Sequence, residues 1–409
     1  MTSETASDEM SREEARIADV VRGAGTISRA ELARRTGLSR TALSPRLGTL
    51  LELGLLQEVG RGPSSGGRPP ALVRFAEEGG FVVGIDLGAR AVDVAVTNLR
   101  AEPVVHRAEV MDVVEGPEEI LGRISEIVDE MLDDPAVDRA RVKGIGVGIP
   151  APVEFGAGHS VSPQIMPGWE GFDVGRYFYE RHGYPVFVDN DANLMALGEA
   201  WAGVAVAVSD FLWVKLGSGI GCGIMSAGRL LRGANGSAGD IGHIRVGVDE
   251  TPCGCGSLGC LEAIAGGDAL SARAELLATS GASPILARLQ GEGRPLTPVD
   301  VAAAVAEGDR AAIELVRSAA AAIGSVLAGV VNFYNPELIV IGGVVARIGD
   351  LLLAAIRESV YRESLPLATR ELAISGTALG GLTGVVGAAA LVLAERFQFA
   401  PLVAAGGGR

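Results

Sequence analysis

Lysine and aromatic residues are scarce in this sequence of 409 residues. Lysine occurs only at Lys143 and Lys215, so arginine carries nearly all of the positive charge. Aromatic residues make up 4% of the chain and hydrophobic residues 48%, which predicts a core built mainly from aliphatic side chains. That hydrophobic fraction excludes a disordered chain, and the length predicts two or three domains because it exceeds the usual size of one core.

The sequence also lacks a signal segment and long apolar runs. The first residues, MTSETASDEMSREEAR, are polar throughout. No unbroken apolar run reaches the length of a membrane span. The sequence therefore predicts a soluble, cytoplasmic protein with no membrane partner.

Cysteine is rare, and three of the four cysteines lie within eight residues of one another. In a chain without a secretion signal, this clustering favours metal ligation over disulfide bonds. A histidine precedes the segment CGCGSLGC, and three thiolates with one imidazole complete a tetrahedral, structural Zn²⁺ site. The predicted ligands are His243, Cys253, Cys255 and Cys260. The alternative is a coincidental group of buried cysteines, and Cys222, which stands apart, is expected in the core.

The charge of the chain is uneven along its length. A net charge of -15 argues against a nucleic-acid partner if it is spread evenly. From Arg22 to Arg74, however, nine arginines stand against three acidic residues, which gives that segment a net charge of +6. A local excess of this kind is typical of a surface that binds phosphates.

The arginine-rich segment has a helix, turn, helix pattern. Ser28 is placed to cap one helix, Gly37 to make the turn, and Ser39 to cap the next helix. The strand-like runs LLQEV and ALVRF flank GRGPSSGGRPP and predict a small two-stranded wing. We therefore expect a flexible tail over residues 1–11 and a winged helix-turn-helix domain over 12–76. A protein-interaction domain is the alternative that periodicity alone allows.

Candidate DNA contacts lie early on the second of these helices and in the wing. They are Arg40, Thr41, Ser44, Arg46 and Arg68. The helical positions are those that reach base edges in the major groove, whereas an arginine between glycine and proline is typical of an arm in the minor groove. A plain linker is the alternative for the arm. Pro45 lacks an N–H group and predicts a kinked or later-starting helix.

From Phe81 onward, strands and helices alternate. FVVGIDLG and AVDVAVTNL predict a hairpin, a second α/β unit opens with FLWVKLGSGIGCGIM, and ELIVIGGV predicts a buried strand after a largely helical region. This layout is typical of the actin-like (RNase H-like), two-lobed sugar-kinase fold, here preceded by an all-α or winged helix-turn-helix domain. The first lobe is predicted over residues 79–195, completed by a helix over 376–397, and the second, with the zinc site, over 196–375.

The segment SAGDIGHIRV, followed by CGCGSLGCLEAIAG, resembles the signature of the ROK family of repressors, open reading frames and kinases. VDNDAN, LGSGIGCGI and NFYNPELIVIGGV also match, and the resemblance covers residues 15–395. It implies that sugar hydroxyls are held by Asn190, Asp191, Asp240, His243 and Glu262. Carboxylates accept hydrogen bonds from hydroxyls, and a histidine with a metal on one ring nitrogen keeps an N–H donor on the other. The family usually has Glu at position 240, and a helix cap is the alternative role for Asn190 and Asp191.

The resemblance also implies a choice between kinase and sensor. In a kinase Asp191 is the general base, and glycine-rich turns hold ATP and Mg²⁺. The residues of those turns are Asp86, Gly88, Gly217, Gly219, Gly342 and Gly343. The first turn reads DLGAR, with Arg90 where the family has Thr or Ser, so a phosphate or magnesium-water contact is lost. This favours a sensor that does not use ATP over an active or bifunctional sugar kinase, although Arg90 is itself able to bind phosphate.

A winged helix ahead of the domain resembles the repressor branch of the family, of the xylose and N-acetylglucosamine repressor type. The resemblance implies a homodimer or dimer of dimers that binds double-stranded operator DNA and a small sugar. We therefore expect a transcriptional repressor of carbohydrate uptake or catabolism genes, which the sugar releases from DNA.

Overall fold

The computed structural model describes residues 10–61, 71–155, 158–161, 166–247 and 250–401. Within these ranges, an amino-terminal unit of helices with a small sheet precedes two α/β lobes. Each lobe is built on its own five-stranded sheet. The α/β architecture therefore follows the sequence-based expectation.

The amino-terminal unit consists of α1 (Arg12–Ala24), β1 (Thr26–Ser28), α2 (Arg29–Thr36), α3 (Arg40–Glu52), β2 (Leu56–Arg61) and β3 (Ala71–Phe75). Strands β2 and β3 pair antiparallel, which confirms the strand pair predicted for the wing. Strand β1 pairs with the other edge of β3 and adds a third strand that was not expected.

The caps of α2 and α3 confirm the predicted turn chemistry. The Ser28 hydroxyl accepts the Glu31 N–H, and the left-handed Gly37 ends α2. Ser39 caps α3 in the same way.

The later start expected from Pro45 is wrong, since α3 begins at Arg40 and runs through the proline; the expected kink stays a prediction. Thr41 and Pro45 are both exposed. Water is therefore able to bind the Thr41 carbonyl group that the proline leaves without a backbone donor.

The predicted tail is shorter than residues 1–11. Met10 is buried, and Ser11 forms a capping box with Glu14 at the start of α1. Residues 1–9 lie outside the described part of the chain.

The first lobe begins with β4, which pairs antiparallel with β5 as the predicted hairpin. Its elements are β4 (Phe81–Leu87), β5 (Ala91–Asn98), β6 (Pro103–Val110), α4 (Pro117–Leu132), β7 (Val142–Ile149), β8 (Val153–Glu154), β9 (His159–Ser160), α5 (Val174–His182), β10 (Val186–Asn190) and α6 (Asp191–Ala202). The order in the large sheet is β10-β7-β4-β5-β6, with β7 parallel to both neighbours.

The second lobe repeats this plan with more helices. Its elements are β11 (Phe211–Leu216), β12 (Ile220–Ser226), β13 (Arg229–Leu230), α7 (Leu261–Ala265), α8 (Gly267–Thr279), α9 (Pro284–Gln290), α10 (Pro298–Ala306), α11 (Arg310–Tyr334), β14 (Leu338–Gly342), α12 (Asp350–Glu363), α13 (Pro366–Thr369) and β15 (Ala373–Gly376), followed by α14 (Thr383–Phe397). The sheet order is β13-β12-β11-β14-β15.

Helices α6 and α14 lie between the two large sheets and pack against each other. Helix α14 covers β4 and β7 of the first sheet, while α6 covers β11 and β12 of the second. At Gly387 a Cβ atom would lie 1.7 Å from the Leu194 carbonyl oxygen, so only glycine allows the two backbones to approach this closely.

The predicted lobe boundaries differ from this arrangement in two places. The boundary between residues 195 and 196 falls inside the continuous helix α6. The predicted closing helix over 376–397 begins at Thr383, and Gly376 belongs to β15 of the second sheet. Helix periodicity marks apolar faces, but it does not show which sheet each face covers.

Among the residues that the structure describes, two helical segments are long and apolar enough to span a membrane: Arg310–Tyr334 and Gly380–Phe397. Both segments contain polar or charged residues, so neither is an unbroken apolar run of the kind that the sequence-based expectation excludes. In the fold, α14 is enclosed between the sheets, and the buried face of α11 joins the core of the second lobe. Both are core helices of a globular fold.

Candidate functional site

A cavity between the two lobes collects the five residues predicted to hold a sugar. It is lined by Asn190, Asp191, Asp240, His243 and Glu262. The first two stand where β10 passes into α6, the next two follow β13, and the last is on α7. Residues far apart in the sequence thus meet at one place.

Asn190 is the N-cap of α6. Its Oδ1 accepts the N–H groups of Ala192 and Asn193 at 3.0 and 3.3 Å, and its Nδ2 donates to the Ala151 carbonyl at 3.1 Å. The capping role, which was the alternative to sugar binding, is therefore present. One N–H of the amide still lacks a partner among the described residues and is available to a ligand.

Asp191 is buried and forms an ion pair with Lys215 from β11. Its Oδ1 also accepts the Ala192 N–H at 2.6 Å. Burial alone would lower the pKa of Lys215, but the charges of Asp191 and Asp86 outweigh it and raise that pKa. Lys215 was not among the predicted site residues. The sequence did contain an indication of its role: Lys215 is one of only two lysines in the chain, and it lies inside the apolar segment FLWVKL.

Asp86 lies one residue before the end of β4, and a Cβ atom on Gly148 would lie 3.5 Å from both its Oδ1 atom and the Cα atom of Asp191. Burial raises its pKa to about 7, Lys215 opposes this shift, and the charge of Asp191 adds to it. Its Oδ1 atom is buried and has no hydrogen-bond partner among the described residues. A carboxyl group in this state has a high affinity for a proton or another cation.

Glu262 reaches the cavity from α7. Its Oε2 accepts the Ile220 N–H at 2.9 Å. A Cβ atom on Gly219 would lie 2.1 Å from the same oxygen, so the glycine predicted for a phosphate turn makes room for this carboxylate. Asp240 is half-exposed, with its Oδ1 3.9 Å from Nε2 of His243.

The four predicted metal ligands form one cluster. Their ligand atoms all lie within 4.8 Å of one another, with Nδ1 of His243 3.5 Å from Sγ of Cys253 and the Sγ atoms of Cys255 and Cys260 3.7 Å apart. A tetrahedral ion with Zn²⁺ bond lengths requires separations of about 3.6 Å between nitrogen and sulfur and about 3.8 Å between sulfurs. The cluster therefore fits a four-coordinate metal ion.

The two ring nitrogens of His243 face different sites, one the cysteine cluster and the other the cavity. Nδ1 faces the sulfurs, whereas Nε2 faces Asp240. A metal on Nδ1 leaves the ring proton on Nε2, where it is able to donate into the cavity. Hydrogen bonds from Ser257 lower the pKa of the Cys255 thiol to about 7, which favours the thiolate that binds metal. Cys222 is buried outside the cluster, as expected.

The predicted nucleotide turns contact one another through α8. In the first turn, the Gly88 N–H donates to the Ala91 carbonyl, and the Arg90 guanidinium pairs with Asp268 at 3.1 Å. The Asp268 N–H in turn donates to Ser218 of the second turn at 3.2 Å. Arg90 is exposed and extends from one lobe to the other.

The remaining glycines of the predicted nucleotide turns have packing roles. The N–H of Gly217 closes a turn onto Gly219 at 2.9 Å. Cβ atoms on Gly342 and Gly343 would lie 2.5 Å from the Trp213 ring and 2.4 Å from the Leu216 carbonyl oxygen. These glycines permit close packing on β11 whether or not a nucleotide binds.

Three of the predicted DNA contacts share an exposed face of α3. They are Arg40, Thr41 and Ser44. Arg46 does not join them, because its half-buried guanidinium pairs with Glu13 of α1 and donates to the Ala42 carbonyl at 2.8 Å. Arg68 lies outside the described residues.

Arg22 was counted with the arginine excess, but it is buried where α1 meets the lobes. Its guanidinium pairs with Asp19, donates to the Ala400 carbonyl at 3.1 Å, and lies 4.5 Å from the centre of the Trp201 ring and 4.9 Å from that of Phe399. Trp201 is in the last turn of α6. One helix therefore begins at the cavity and ends against the amino-terminal unit.

Comparisons with known proteins agree with this geometry. A model described as the ROK family matches residues 82–395. The xylose repressor of Caldicellulosiruptor bescii is 29% identical over 374 residues, which cover 91% of this chain and 93% of that protein. A solved ROK family transcriptional regulator, described as a homolog of the E. coli MLC protein, has 25% identity and a TM-score of 0.81 and covers 96% of this chain and 98% of its own.

A ROK family glucokinase from Streptomyces griseus, solved in complex with glucose and AMPPNP, has 29% identity and a TM-score of 0.69. It covers 76% of this chain and 99% of its own length. These similarities confirm the predicted fold class, a two-lobed sugar-kinase fold behind an amino-terminal unit. Because the family model spans most of the sequence, the chain is a member of the ROK family.

Proposed function

We propose that this chain is a sugar-responsive transcriptional repressor, which binds operator DNA through a winged helix-turn-helix unit and releases it when a sugar fills the cavity. The observation that carries the proposal is the convergence of the five predicted sugar-binding residues on one cavity, which α6 joins to the amino-terminal unit. The xylose repressor that it resembles matches over 91% of this chain, more than the lobes alone.

The amino-terminal unit supplies the DNA-binding surface. We propose that Arg40, Thr41 and Ser44 contact base edges, because they share the exposed face of α3, the second helix of the helix-turn-helix. We assign a minor-groove contact to Arg68. For Arg46 the ion pair with Glu13 supports a different role, in which it holds α3 against α1.

The cavity binds the hydroxyl groups of an uncharged sugar. Asp191, Asp240 and Glu262 accept hydrogen bonds from them, while Nε2 of His243 and the Asn190 amide donate. Zn²⁺, held by His243 and the three clustered cysteines, fixes the ring of that histidine and has no open coordination position for chemistry. The zinc site is thus structural, and it orients a ligand-binding group.

Helix α6 transmits the occupancy of the cavity to the DNA-binding unit. Asn190 and Asp191 stand at its start, and Trp201 at its end contacts Arg22 of α1. A sugar that favours a different closure of the two lobes shifts α6, and with it the position of α1. The two states then differ in how α3 meets DNA.

The active species is a soluble, cytoplasmic homodimer whose two α3 helices read paired half-sites. An exposed apolar patch supports this part of the proposal: Phe333 is 92%, Leu365 65% and Leu367 75% exposed. The Leu365 N–H donates to Oδ1 of Asn332 at 2.8 Å, so the residue that precedes α13 lies against the end of α11, where Phe333 stands. A contiguous apolar surface of this kind marks a protein contact, and a twofold dimer matches a palindromic operator.

The direct test is the affinity for DNA with and without sugar. Duplexes selected from a random pool by the full-length protein serve as the operator, and fluorescence anisotropy follows binding while D-xylose or D-glucose is added. We expect one of these sugars to weaken DNA binding at least about tenfold, and Asp191→Asn to abolish that response while leaving DNA binding intact. DNA affinity that no sugar of a broad mono- and oligosaccharide panel changes would remove the sensor function.

An ATP-dependent sugar kinase is the second candidate. It is favoured by Asp191 at the cavity and by the fold shared with the Streptomyces griseus glucokinase. The Arg90–Asp268 ion pair, which occupies the first nucleotide turn, favours the sensor. A coupled assay separates the two, because a turnover of about one per second or more with ATP makes the enzyme the primary function.

A further inference from the structure

Residues 231–240 form a loop of the second lobe that reaches across to the first lobe. The loop follows β13, and the second half of it, from Gly236 to Asp240, lines the cavity. A Cβ atom on Gly239 would lie 1.8 Å from the Cys222 carbonyl oxygen of β12, in the second lobe. One on Gly236 would lie 2.2 Å from the Val153 carbonyl oxygen of β8, in the first lobe. The loop is therefore a wall of the cavity that contacts both lobes.

Arg232 makes the charged contact between this loop and the first lobe. Its Nε donates to Oδ2 of Asp189, on β10, at 2.7 Å. The centre of its guanidinium lies 3.6 Å from the centre of the Phe155 ring, which follows β8. Its Nη2 lies 3.9 Å from Oε1 of Glu395 on α14. One side chain of the loop thus has an ion pair, a cation–π contact and a second carboxylate on the other side of the cleft.

The carboxylate of this ion pair is buried and is itself held in place. The Asp189 side chain is 2% exposed, whereas that of Arg232 is 22% exposed. The second carboxylate oxygen, Oδ1, accepts the Asn190 N–H at 2.7 Å and an N–H of the Asn193 amide at 2.9 Å. Asn193 stands in the first turn of α6. Asp189 therefore connects the loop of the second lobe to the helix that begins beside the cavity.

We propose that Arg232 is a positioning residue, whose ion pair with Asp189 holds the 231–240 loop against the first lobe and so keeps the sugar in the cavity. The guanidinium stands behind the wall of the cavity and acts on the ligand through the loop, which carries Asp240. A sugar that contacts Asn190 and Asp240 spans the two sides that the ion pair joins. The inference rests on the proposed function, because the ligand that the loop retains is the proposed sugar.

The ion pair should act mainly on release of the sugar. With Arg232 in place, the loop and Asp240 stay against the bound ligand. Without it, the wall is able to move away and the sugar leaves sooner, whereas entry of the sugar does not require the loop to be held. We therefore expect the dissociation rate to change more than the association rate.

Arg232→Met in the full-length, zinc-loaded protein provides the main test, because methionine is long but uncharged. The ligand is D-xylose or D-glucose, whichever the unaltered protein binds; calorimetry measures the affinity, and NMR line shapes of the ¹³C-labelled sugar measure dissociation. We expect dissociation to become at least about tenfold faster and association to stay within about threefold. Unchanged dissociation from Arg232→Met would overturn the inference.

Two further variants show whether charge is the cause. Arg232→Lys keeps a positive charge within reach of Asp189 and should return dissociation to within about threefold of the unaltered protein. Arg229→Ala, which changes an exposed arginine of β13 in the same part of the chain, should bind sugar as the unaltered protein does. Equal losses in Arg232→Lys and Arg232→Met would assign the effect to packing and would overturn the inference.

A double variant keeps the test valid if Arg232→Met leaves the buried Asp189 carboxylate uncompensated and fails to fold. Asp189→Asn removes the charge and keeps an oxygen for the N–H groups of Asn190 and Asn193. We expect Asp189→Asn alone and Asp189→Asn with Arg232→Met to release sugar equally fast, since neither has the ion pair. Faster release from the double variant would show that Arg232 acts independently of Asp189, against the inference.

A measurement without sugar separates this inference from the proposed function. Hydrogen–deuterium exchange with mass spectrometry follows the loop, in which the Ala238 N–H donates to the Arg232 carbonyl at 3.1 Å. In the double variant, we expect peptides over 231–240 to exchange at least about fivefold faster than in the unaltered protein, with α12 unchanged. Equal exchange of the loop in both proteins would overturn the inference. If no sugar binds the unaltered protein, the proposed function fails, and exchange still decides whether Arg232 holds the loop.

Discussion

The buried carboxyl group of Asp86 makes the stability of the folded protein depend on pH. Its pKa is raised from 3.8 to about 7, chiefly by burial. Between these two pH values the folded protein holds a proton that the unfolded chain has released. The folded state is therefore favoured at the lower end of this window, and that contribution is lost as the pH rises through about 7.

Asp86→Asn should remove this dependence on pH. Between pH 5 and 8, the free energy of unfolding of the variant should rise by about 2–3 kcal/mol relative to the unaltered protein, since each pKa unit corresponds to about 1.4 kcal/mol. Urea unfolding at both pH values measures the difference. Glu314→Gln, which changes an exposed carboxyl group on α11, is the control. A difference that does not change with pH would mean that Asp86 stays ionised throughout.

Cys255→Ser should reduce the zinc content from one ion per chain to none. The remaining three ligands do not complete a tetrahedral site, and His243 loses the ion that orients it. Sugar binding should disappear together with the metal, as followed by metal analysis and calorimetry with the responsive sugar. Cys222→Ala, outside the cluster, should keep its zinc. Retained sugar affinity in metal-free protein would show that His243 needs no metal to orient it.

At the scale of residues, the sequence predicted local chemistry better than it predicted which distant side chains contact each other. The spacing of the cysteines predicted a cluster that the fold assembles. Lys215 was not predictable as a site residue, because the charges around it belong to Asp86 and Asp191, which come from other elements. Arg22 was assigned to the surface by charge counting, although the rings that enclose it, Trp201 and Phe399, lie far away in the sequence.

Helix α6 is the element on which regulation depends in the proposed function. Trp201→Leu should leave sugar binding and DNA binding each within about threefold of normal, while the effect of sugar on DNA affinity falls by about tenfold, a loss within the usual range of coupling energies. Trp201→Phe keeps an aromatic ring against Arg22 and is the matched control. Anisotropy with and without sugar measures both. Full coupling in Trp201→Leu would place the transmission elsewhere.

Two arginines of α3 have different proposed roles: Arg40 contacts DNA, whereas Arg46 holds α3 against α1. Arg40→Ala should weaken operator binding with a cost of about 1–3 kcal/mol and leave the melting temperature unchanged, because Arg40 is exposed. Arg46→Ala should instead lower the melting temperature, since its guanidinium joins α3 to Glu13. Anisotropy and thermal unfolding of both variants test this division; the reverse pattern would exchange the two roles.

Arg68→Ala should weaken operator binding without affecting thermal stability, if the wing segment reaches the minor groove as proposed. The loss should be larger for duplexes with a narrow, A·T-rich minor groove beside the half-site. Unaltered affinity for such duplexes would show that the segment is a linker that makes no DNA contact through Arg68.

At the scale of elements, caps and turns were predictable because their determinants are adjacent in the chain. Ser28 and Ser39 begin their helices as expected. The failures arose where tertiary context decides. Exposure on α3 tolerates Pro45 inside the helix, and α6 continues through the point at which the lobes were divided. The periodicity of a helix marks its apolar face, but not the element against which that face packs.

The whole molecule presents an apolar patch on α11 and α13 that suits a second copy of the chain. Phe333→Glu should convert the proposed dimer to a monomer and weaken binding to a two-site operator by at least about tenfold, because the DNA-binding units of the two chains are then no longer linked. Leu276→Glu, which makes the same apolar-to-acidic change at an exposed leucine on α8, should remain dimeric. Light scattering after size-exclusion chromatography distinguishes the two; a Phe333→Glu dimer would place the contact on another face.

The enclosed position of α14 has a consequence for the order in which the protein becomes competent. This helix supplies one wall of the interior for the first sheet, and the segment just after it packs against α1 through Phe399. During synthesis, the amino-terminal unit, which ends at Phe75, and the first sheet, which ends at Asn190, leave the ribosome well before α14, which begins at Thr383. We therefore expect that a nascent chain cannot repress before it has been translated through α14.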